Sequence, residues 1–248
     1  MEMDRRFNGI DRLYGRGSSE RVKQTHVVVV GIGGVGSWAA EALARSGVGT
    51  LTLIDLDHVA ESNTNRQIHA TQASIGQAKV IAMRDRIHSF YPECVVQCIE
   101  EFVTVDNWAA LVPSGVDAVI DACDQLKVKT TLAAWAKATG TTFVASGAAG
   151  GKRHAHLATL VDLAKVTHDP LLAKVRNQLR KEHLAPRDGK KMDVMCVFSA
   201  EAVTRPDEAC LVGQVDGTLN CHGFGSVVTV TATFGLLASS YVLNELAA

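Results

Sequence analysis

Four consecutive valines, Val27–Val30, run directly into Gly31-Ile32-Gly33-Gly34-Val35-Gly36, and this junction restricts the fold more than any other stretch of the chain. A β-branched apolar run belongs in the middle of a parallel sheet that helices cover on both faces. Gly31, Gly33 and Gly36 then match G-x-G-x-x-G at a strand-to-helix turn. Gly31 permits the tight turn, Gly33 lets the backbone approach phosphate oxygens, and Gly36 lets the helix pack closely on the strand. A helix beginning near Val35 presents free N–H groups and a positive dipole end to those phosphates. Asp55 follows Leu51-Thr52-Leu53-Ile54, where a carboxylate accepts from ribose hydroxyls. These features specify a nucleotide and are silent about which one.

The same alternation continues along the chain. Apolar β-branched runs at 27–30, 50–54, 94–99, 116–121 and 142–145 read as buried parallel strands. The segments 35–46, 75–90, 104–112 and 126–139 carry apolar residues at helical spacing. This predicts an α/β fold: a doubly wound, Rossmann-like, mostly parallel sheet with helices on both faces. Beyond about residue 150 the pattern changes to strands at 156–162 and 194–198 around a charged helix at 170–184 and a polar loop at 185–192, which predicts a C-terminal extension of the sheet. We divide 1–248, read as one domain, into an N-terminal arm (1–25), a nucleotide-binding core (26–160) and an extension (161–248).

Composition narrows the class. At 47% hydrophobic and 21% charged residues the chain has the make-up of an ordinary globular protein. A net charge of −1 gives no global attraction to nucleic acid or anionic lipid. Local charge differs: Lys165–Lys191 holds eight Lys or Arg against three Asp or Glu. Two readings of that segment stand side by side, a solvated helix face and a phosphate-contacting surface. Met1–Arg6 has no apolar run behind its charges, and the six cysteines form no C-x-x-C pair. A secretory signal, a disulfide framework and a zinc knuckle are therefore not expected, and the chain reads as cytoplasmic with reduced thiols and no structural zinc. The uncharged stretch Gly223–Asn244 is long enough to span a bilayer, but its Ser and Thr hydroxyls favour a buried C-terminal helix over membrane contact.

What separates redox chemistry from adenylation is charge. An enzyme that cleaves ATP must neutralise the departing pyrophosphate with Arg, Lys and Mg²⁺. Arg66 and Lys79 follow the second strand, while Asp121 and Asp124 end the fourth, so all four are expected at the crevice beyond the strand ends. There a carboxylate can hold Mg²⁺ through water and orient the α-phosphate. A second glycine cluster, Gly147–Lys152, resembles a phosphate loop, but its spacing fails and Arg153 replaces the Mg²⁺-binding hydroxyl. It reads as a tight loop near substrate.

Gly31–Gly36 (including Gly34), Asp55, Ser62–Gln67, Gly76-Gln77-Ala78-Lys79 and Asp121-Ala122-Cys123-Asp124 together resemble the nucleotide site of the ubiquitin-activating-enzyme-like superfamily. The resemblance implies that Asp55 holds ribose. It implies that Asn63, Arg66, Gln67 and Lys79 bind the nucleotide and its phosphates, and that Asp124 serves Mg²⁺ and the adenylate. Two zinc knuckles usual in the sulfur-carrier adenylyltransferases of that superfamily are missing. Instead, Arg12-Leu13-Tyr14-Gly15, Thr64–Ala70, Asp193–Glu201, Gly223-Phe224-Gly225 and Thr231–Gly235 are similar to its tRNA threonylcarbamoyladenosine dehydratase branch.

That branch implies ATP-dependent dehydration of N6-threonylcarbamoyladenosine beside the tRNA anticodon. The threonine carboxylate is adenylated, and the neighbouring carbamoyl group closes a ring with release of AMP. Because closure is intramolecular, effective molarities of roughly 10⁵–10⁸ M can stand in for an enzymic nucleophile. No covalent cysteine is then required, and Cys196 reads as a core residue with a thiol role as the alternative. Cys221 has His222 beside it as a potential base. His69 reads as a polar loop residue rather than a general base.

The resemblance further implies a homodimer in which an N-terminal arginine, here Arg12, reaches the partner's ATP, and it allows a sulfur-transfer protein as a partner. The competing readings are an adenylyltransferase for a sulfur-carrier or ubiquitin-like protein, a nicotinamide-dependent oxidoreductase and a non-catalytic nucleotide-binding scaffold. No Tyr-x-x-x-Lys pair supports the oxidoreductase.

Overall fold

The computed structural model describes residues 5–204 and 224–247. Two short helices, α1 (Asn8–Tyr14) and α2 (Ser18–Lys23), precede β1 (His26–Val30). Next come α3 (Gly36–Arg45), β2 (Thr50–Ile54), α4 (Lys79–His88), β3 (Val95–Ile99), α5 (Trp108–Leu111), β4 (Ala118–Asp121), α6 (Leu126–Thr139) and β5 (Thr142–Ser146). The C-terminal part contributes β6 (Ala158–Asp162), α7 (Pro170–Glu182), β7 (Met195–Ser199) and α8 (Val228–Ala247).

The strands make one seven-stranded sheet in the order β3-β2-β1-β4-β5-β7-β6. Every pairing is parallel except β7 with β6. The doubly wound fold and the C-terminal extension of its sheet are thus present, the extension being β7 and its antiparallel edge partner β6. Strand order reverses between β1 and β4, so the crevice beyond their carboxyl ends is the place where such a sheet takes a ligand. In the register of that pair Val30 lies opposite Asp121, which brings the glycine turn and the β4 loop side by side.

Helices cover both faces, as the apolar strands require. On one face α3, α4 and α8 pack over Val27, Val29, Leu51 and Leu53; on the other, α6, α7 and Trp108 cover Val28, Val30 and Val119. Two expected helices are shorter than their apolar spacing predicted. The backbone at Gly76–Ala78 is committed to a bridge with the loop after β2, through Gly76 N–H to Val59 O and Val59 N–H to Gln77 O (both 2.8 Å), so α4 begins only at Lys79. Between Thr104 and Asn107, reciprocal side-chain bonds (Thr104 N–H to Asn107 Oδ1, 2.7 Å; Asn107 N–H to Thr104 Oγ1, 3.1 Å) hold a turn outside the helix. β6 starts at Ala158 rather than His156, because 155–157 form a 3₁₀ turn.

The apolar C-terminal stretch is a core helix. Val230, Phe234, Ala238 and Val242 on α8 are fully buried, and Ser239 Oγ donates to Ala39 O at 3.0 Å. Its last carbonyl, at Ala247, accepts from Ser18 Oγ (3.2 Å) and Arg21 Nη2 (2.6 Å) of α2. Among the described residues, no helix is long and apolar enough to cross a membrane. Close approach to α3 depends on Gly235, where a Cβ would stand 2.5 Å from Val35 O and 2.9 Å from Ala39 N. Glycine to alanine inside a helix ordinarily stabilises by about 0.5–1 kcal/mol. Here the sign reverses: Gly235→Ala is expected to destabilise by about 1–3 kcal/mol through overpacking. A thermal melt at or above that of the parent protein would contradict this packing.

Candidate nucleotide-binding site

A cavity of about 820 Å³ opens at the carboxyl ends of β1, β2, β4 and β5. Its floor is the turn that links β1 to α3. Gly31 has φ +85°, and a Cβ there would come within 3.0 Å of the Ala122 carbonyl group. A Cβ at Gly36 would collide with Gly31 O, so the helix can start this close to the strand only without a side chain. At Gly33 a Cβ meets no protein atom within 4 Å, which leaves its backbone open to a ligand. Gly34 and Val35, at the start of α3, also line the cavity and aim the positive helix end into it.

Asp55 braces this turn. Its Oδ2 accepts from Ile32 N–H at 2.6 Å and its Oδ1 from Asp57 N–H at 2.8 Å, with the side chain in the cavity wall. Burial raises its pKa above the ordinary carboxylate range, against the opposing pull of Lys79 and the two N–H donors.

The cations are held in place. Lys79 is 5% exposed and donates through Nζ to Asp57 Oδ2 at 2.7 Å, while its own N–H donates to Asp57 O at 2.9 Å. Arg66 Nη1 donates to Ser62 O (2.7 Å) and Asn65 Oδ1 (2.9 Å), and Arg66 O accepts from Trp38 Nε1 (3.0 Å). Both cations line the cavity, together with Gln67, whose buried Oε1 has no donor among the described residues. A buried acceptor left open in a cavity wall suits a ligand hydroxyl or N–H. Asp124 is exposed at the rim and has no bond to another described residue. Gly147, Ala148, Ala149 and Gly150 also line the cavity, and so does the exposed Lys174 of α7.

Asp121 is a correction. Although β4 ends there, its carboxylate turns into the core and not into the crevice. It is fully buried against Lys129 of α6, Nζ to Oδ1 3.1 Å, and also accepts from Cys123 N–H at 3.2 Å. Burial opposes the Lys129 charge, but the carboxylate beside it prevails and raises the Lys129 pKa. Three further residues lie off the cavity lining: Gly36, buried where α3 meets the turn, Asn63, whose Oδ1 caps Ala60 N–H at 3.0 Å, and Arg12, exposed on α1. Asp57, the partner of Lys79, was missed by the sequence reading, although Asp55-Leu56-Asp57 at a strand end was a visible signal.

Described thiols are not poised for attack. Cys196 is fully buried in β7 and burial pushes its pKa far up, in keeping with a core residue. Cys123 lines the cavity, but burial and the Asp121 carboxylate raise its pKa well above normal. Cys221 lies outside the described residues.

His69 is no solvated loop residue. It is 2% exposed, and neither ring nitrogen has a partner among the described residues. Burial, with the charges of Lys79 and Arg86, lowers its pKa from 6.5 to about 4. The unfolded chain therefore takes up the proton first, so the proton-linked cost of this histidine is absent above pH 6.5 and grows as pH falls toward 4. His69→Leu is expected to remove on the order of 3 kcal/mol of that acid-dependent loss. Parallel urea titrations at pH 7 and at pH 4 measure it, and an unchanged gap between the two proteins would refute the assignment.

Known proteins with this architecture place the cavity in context. The ThiF family model matches residues 5–247. A tRNA threonylcarbamoyladenosine dehydratase of Haemophilus influenzae is 42% identical over 247 residues, spanning 98% of this chain and 94% of that protein. The solved tRNA N6-threonylcarbamoyladenosine dehydratase of Escherichia coli superposes with a TM-score of 0.87 in its ATP complex, at 42% identity, covering 97% of this chain and 93% of that one. Its AMP complex gives 0.86 at 43% identity, with the same coverage. By contrast, the E. coli molybdopterin-synthase adenylyltransferase is 37% identical over 113 residues, covering 46% of this chain and 45% of that protein. A match that runs from the N-terminal arm to the last turn of α8 leaves one conclusion: the chain belongs to the ThiF family.

Proposed function

We propose that this protein is an ATP-dependent tRNA threonylcarbamoyladenosine dehydratase. The observation that carries the reading is a likeness to such dehydratases extending over nearly the whole chain, with a cavity that gathers the glycine turn, Arg66, Lys79 and Asp124. In the reaction a threonine carboxylate oxygen attacks the α-phosphorus of ATP and pyrophosphate leaves. The carbamoyl group then attacks the activated carbonyl, a ring closes, and AMP and a proton depart. The oxygen lost from the nucleoside leaves in AMP, so the net change on tRNA is one water.

The glycine turn and the start of α3 bind phosphate through backbone N–H groups. Arg66 and Lys79 offset the charge that grows on the leaving pyrophosphate. Gln67 and Asp55 hold the nucleoside end. Asp124 is the residue that would hold Mg²⁺: it is exposed at the rim and pairs with no other described residue, and no described group of three His, Cys, Asp or Glu side chains forms a cage. Mg²⁺ there would take its remaining oxygens from phosphate and water, as it commonly does, and would neutralise phosphate charge.

Lys174 in the cavity lining, with Lys181, Arg187 and Lys190 exposed beyond it, offers a phosphate-contacting path for the anticodon stem. Arg176 and Arg180 are committed to backbone carbonyls and add less. Arg12, exposed on α1, is assigned to the ATP of a second subunit, and a sulfur-transfer protein is kept as a further partner. A tRNA substrate supports the reading of the protein as cytoplasmic.

The test is nucleoside mass analysis of tRNA that retains threonylcarbamoyladenosine, incubated with the protein with and without Mg-ATP. An ATP-dependent product one water lighter is expected. Unchanged tRNA in the presence of folded, ATP-bound protein would reject the dehydratase and point to a protein carboxylate as substrate.

A further inference from the structure

Lys152 has no part in the scheme above, yet it is 2% exposed. Its Nζ donates to three backbone carbonyls: His168 O at 3.1 Å, Ser199 O at 3.3 Å and Glu201 O. The three oxygens come from separate places, the turn before α7, the end of β7 and the residues after it. His168 holds φ +54°, a conformation uncommon for a residue with a side chain. The Glu201 carboxylate folds back onto Arg153 N–H (3.0 Å) and His154 N–H (2.9 Å), tying the chain on the far side of Lys152 to the same segment. Lys152 itself follows the Gly147–Gly151 loop, of which Gly147, Ala148, Ala149 and Gly150 line the nucleotide cavity.

Neutral carbonyl oxygens converging on a single charge are the donor set of a monovalent cation; a divalent ion would call for more carboxylate. Burial lowers the Lys152 pKa, with the Asp169 and Glu201 carboxylates opposing that shift. Without a cation, the buried carbonyl of Ser199 and the half-buried carbonyls of His168 and Glu201 would face one another with no donor among the described residues, and a buried group left unsatisfied is costly.

We propose that Lys152 is a tethered cation: its ammonium fills a carbonyl cage that would otherwise accept a potassium or ammonium ion, and so fixes the Gly147–Gly151 loop at the cavity. It is a positioning residue and touches no reacting atom. The inference goes beyond the dehydratase reading and does not depend on a tRNA substrate.

The test compares the parent protein with Lys152→Met and Lys152→Gln in potassium, ammonium and choline chloride at equal ionic strength. Thermal unfolding and ATP affinity are both read. The parent should be indifferent to the cation, because its own ammonium occupies the cage. Each variant should melt lower in choline, whose bulk excludes it from the cage, and recover in potassium or ammonium by mass action. ATP should bind the variants about tenfold more weakly in choline, a coupling of ordinary size between linked sites, and recover in parallel.

Recovery equal in all three salts, no recovery, or variants that fold in none of them would overturn the proposal. So would potassium-specific stabilisation of the parent. The melting arm needs neither ATP nor tRNA, so its result stands even if the dehydratase assay fails.

Discussion

Lys79→Met is expected to slow AMP formation by about 10²–10³-fold, the usual cost of removing one preorganised charge from a developing anion. The substitution keeps most of the aliphatic stem that is buried in the cavity wall and deletes only the ammonium. Stability should change by no more than about 1 kcal/mol, because the abandoned partner is well solvated: the Asp57 side chain is 54% exposed, against 6% for Lys79. The two readouts are therefore predicted to separate. ATP–pyrophosphate exchange or AMP release measures the first, urea unfolding the second. Near-parental turnover in a folded variant would remove Lys79 from the phosphate site. A large stability loss would make it a structural residue instead.

Lys129→Met should behave in the opposite way, with stability as the first casualty. Lys129 and Asp121 are both fully buried at 3.1 Å, and Asp121 Oδ2 has no hydrogen-bond partner among the described residues. Removing the ammonium leaves a carboxylate uncompensated in the core, which costs about 3–5 kcal/mol. Replacing both groups, as in Lys129→Met with Asp121→Leu, should recover much of that loss, since apolar pairs often match a buried ion pair. Denaturant midpoints of the two proteins decide the matter. If the double variant is no more stable than the single one, the pair is not the electrostatic unit described here. Asp121 is followed by Ala122, Cys123 and Asp124 of the cavity wall, so weaker ATP binding should accompany the single variant.

Much of the architecture was legible in short-range pattern. The valine run, the strand–helix alternation and the glycine spacing depend on backbone sterics and burial period, and both act over a few residues. Hence the five core strands and α6 fall where their apolar residues indicated. Helix starts were harder to read, because Gly76–Ala78 and Thr104–Asn107 spend their backbone groups on partners that apolar spacing cannot reveal. At the site, Arg66, Gln67, Lys79, Asp55 and Asp124 gather around one cavity because each follows a strand end or opens a helix beside it.

What the sequence by itself determined is the doubly wound sheet, the phosphate turn and the set of charges near it. Only the tertiary structure decided where individual side chains point. Asp121 and Asp124 are near neighbours in the chain, yet one pairs with Lys129 in the core and the other faces the cavity rim. Lys152 looked like part of a failed phosphate loop and proves to be enclosed by carbonyls from two segments distant from it in the chain, one at His168 and one at Ser199 and Glu201. His69 looked like a polar loop residue and is buried beside two cations. The physical reason is common to all three. Strand and helix follow from local dihedral preference, whereas the environment of a charge is set by groups far away in sequence, which only the folded chain brings near.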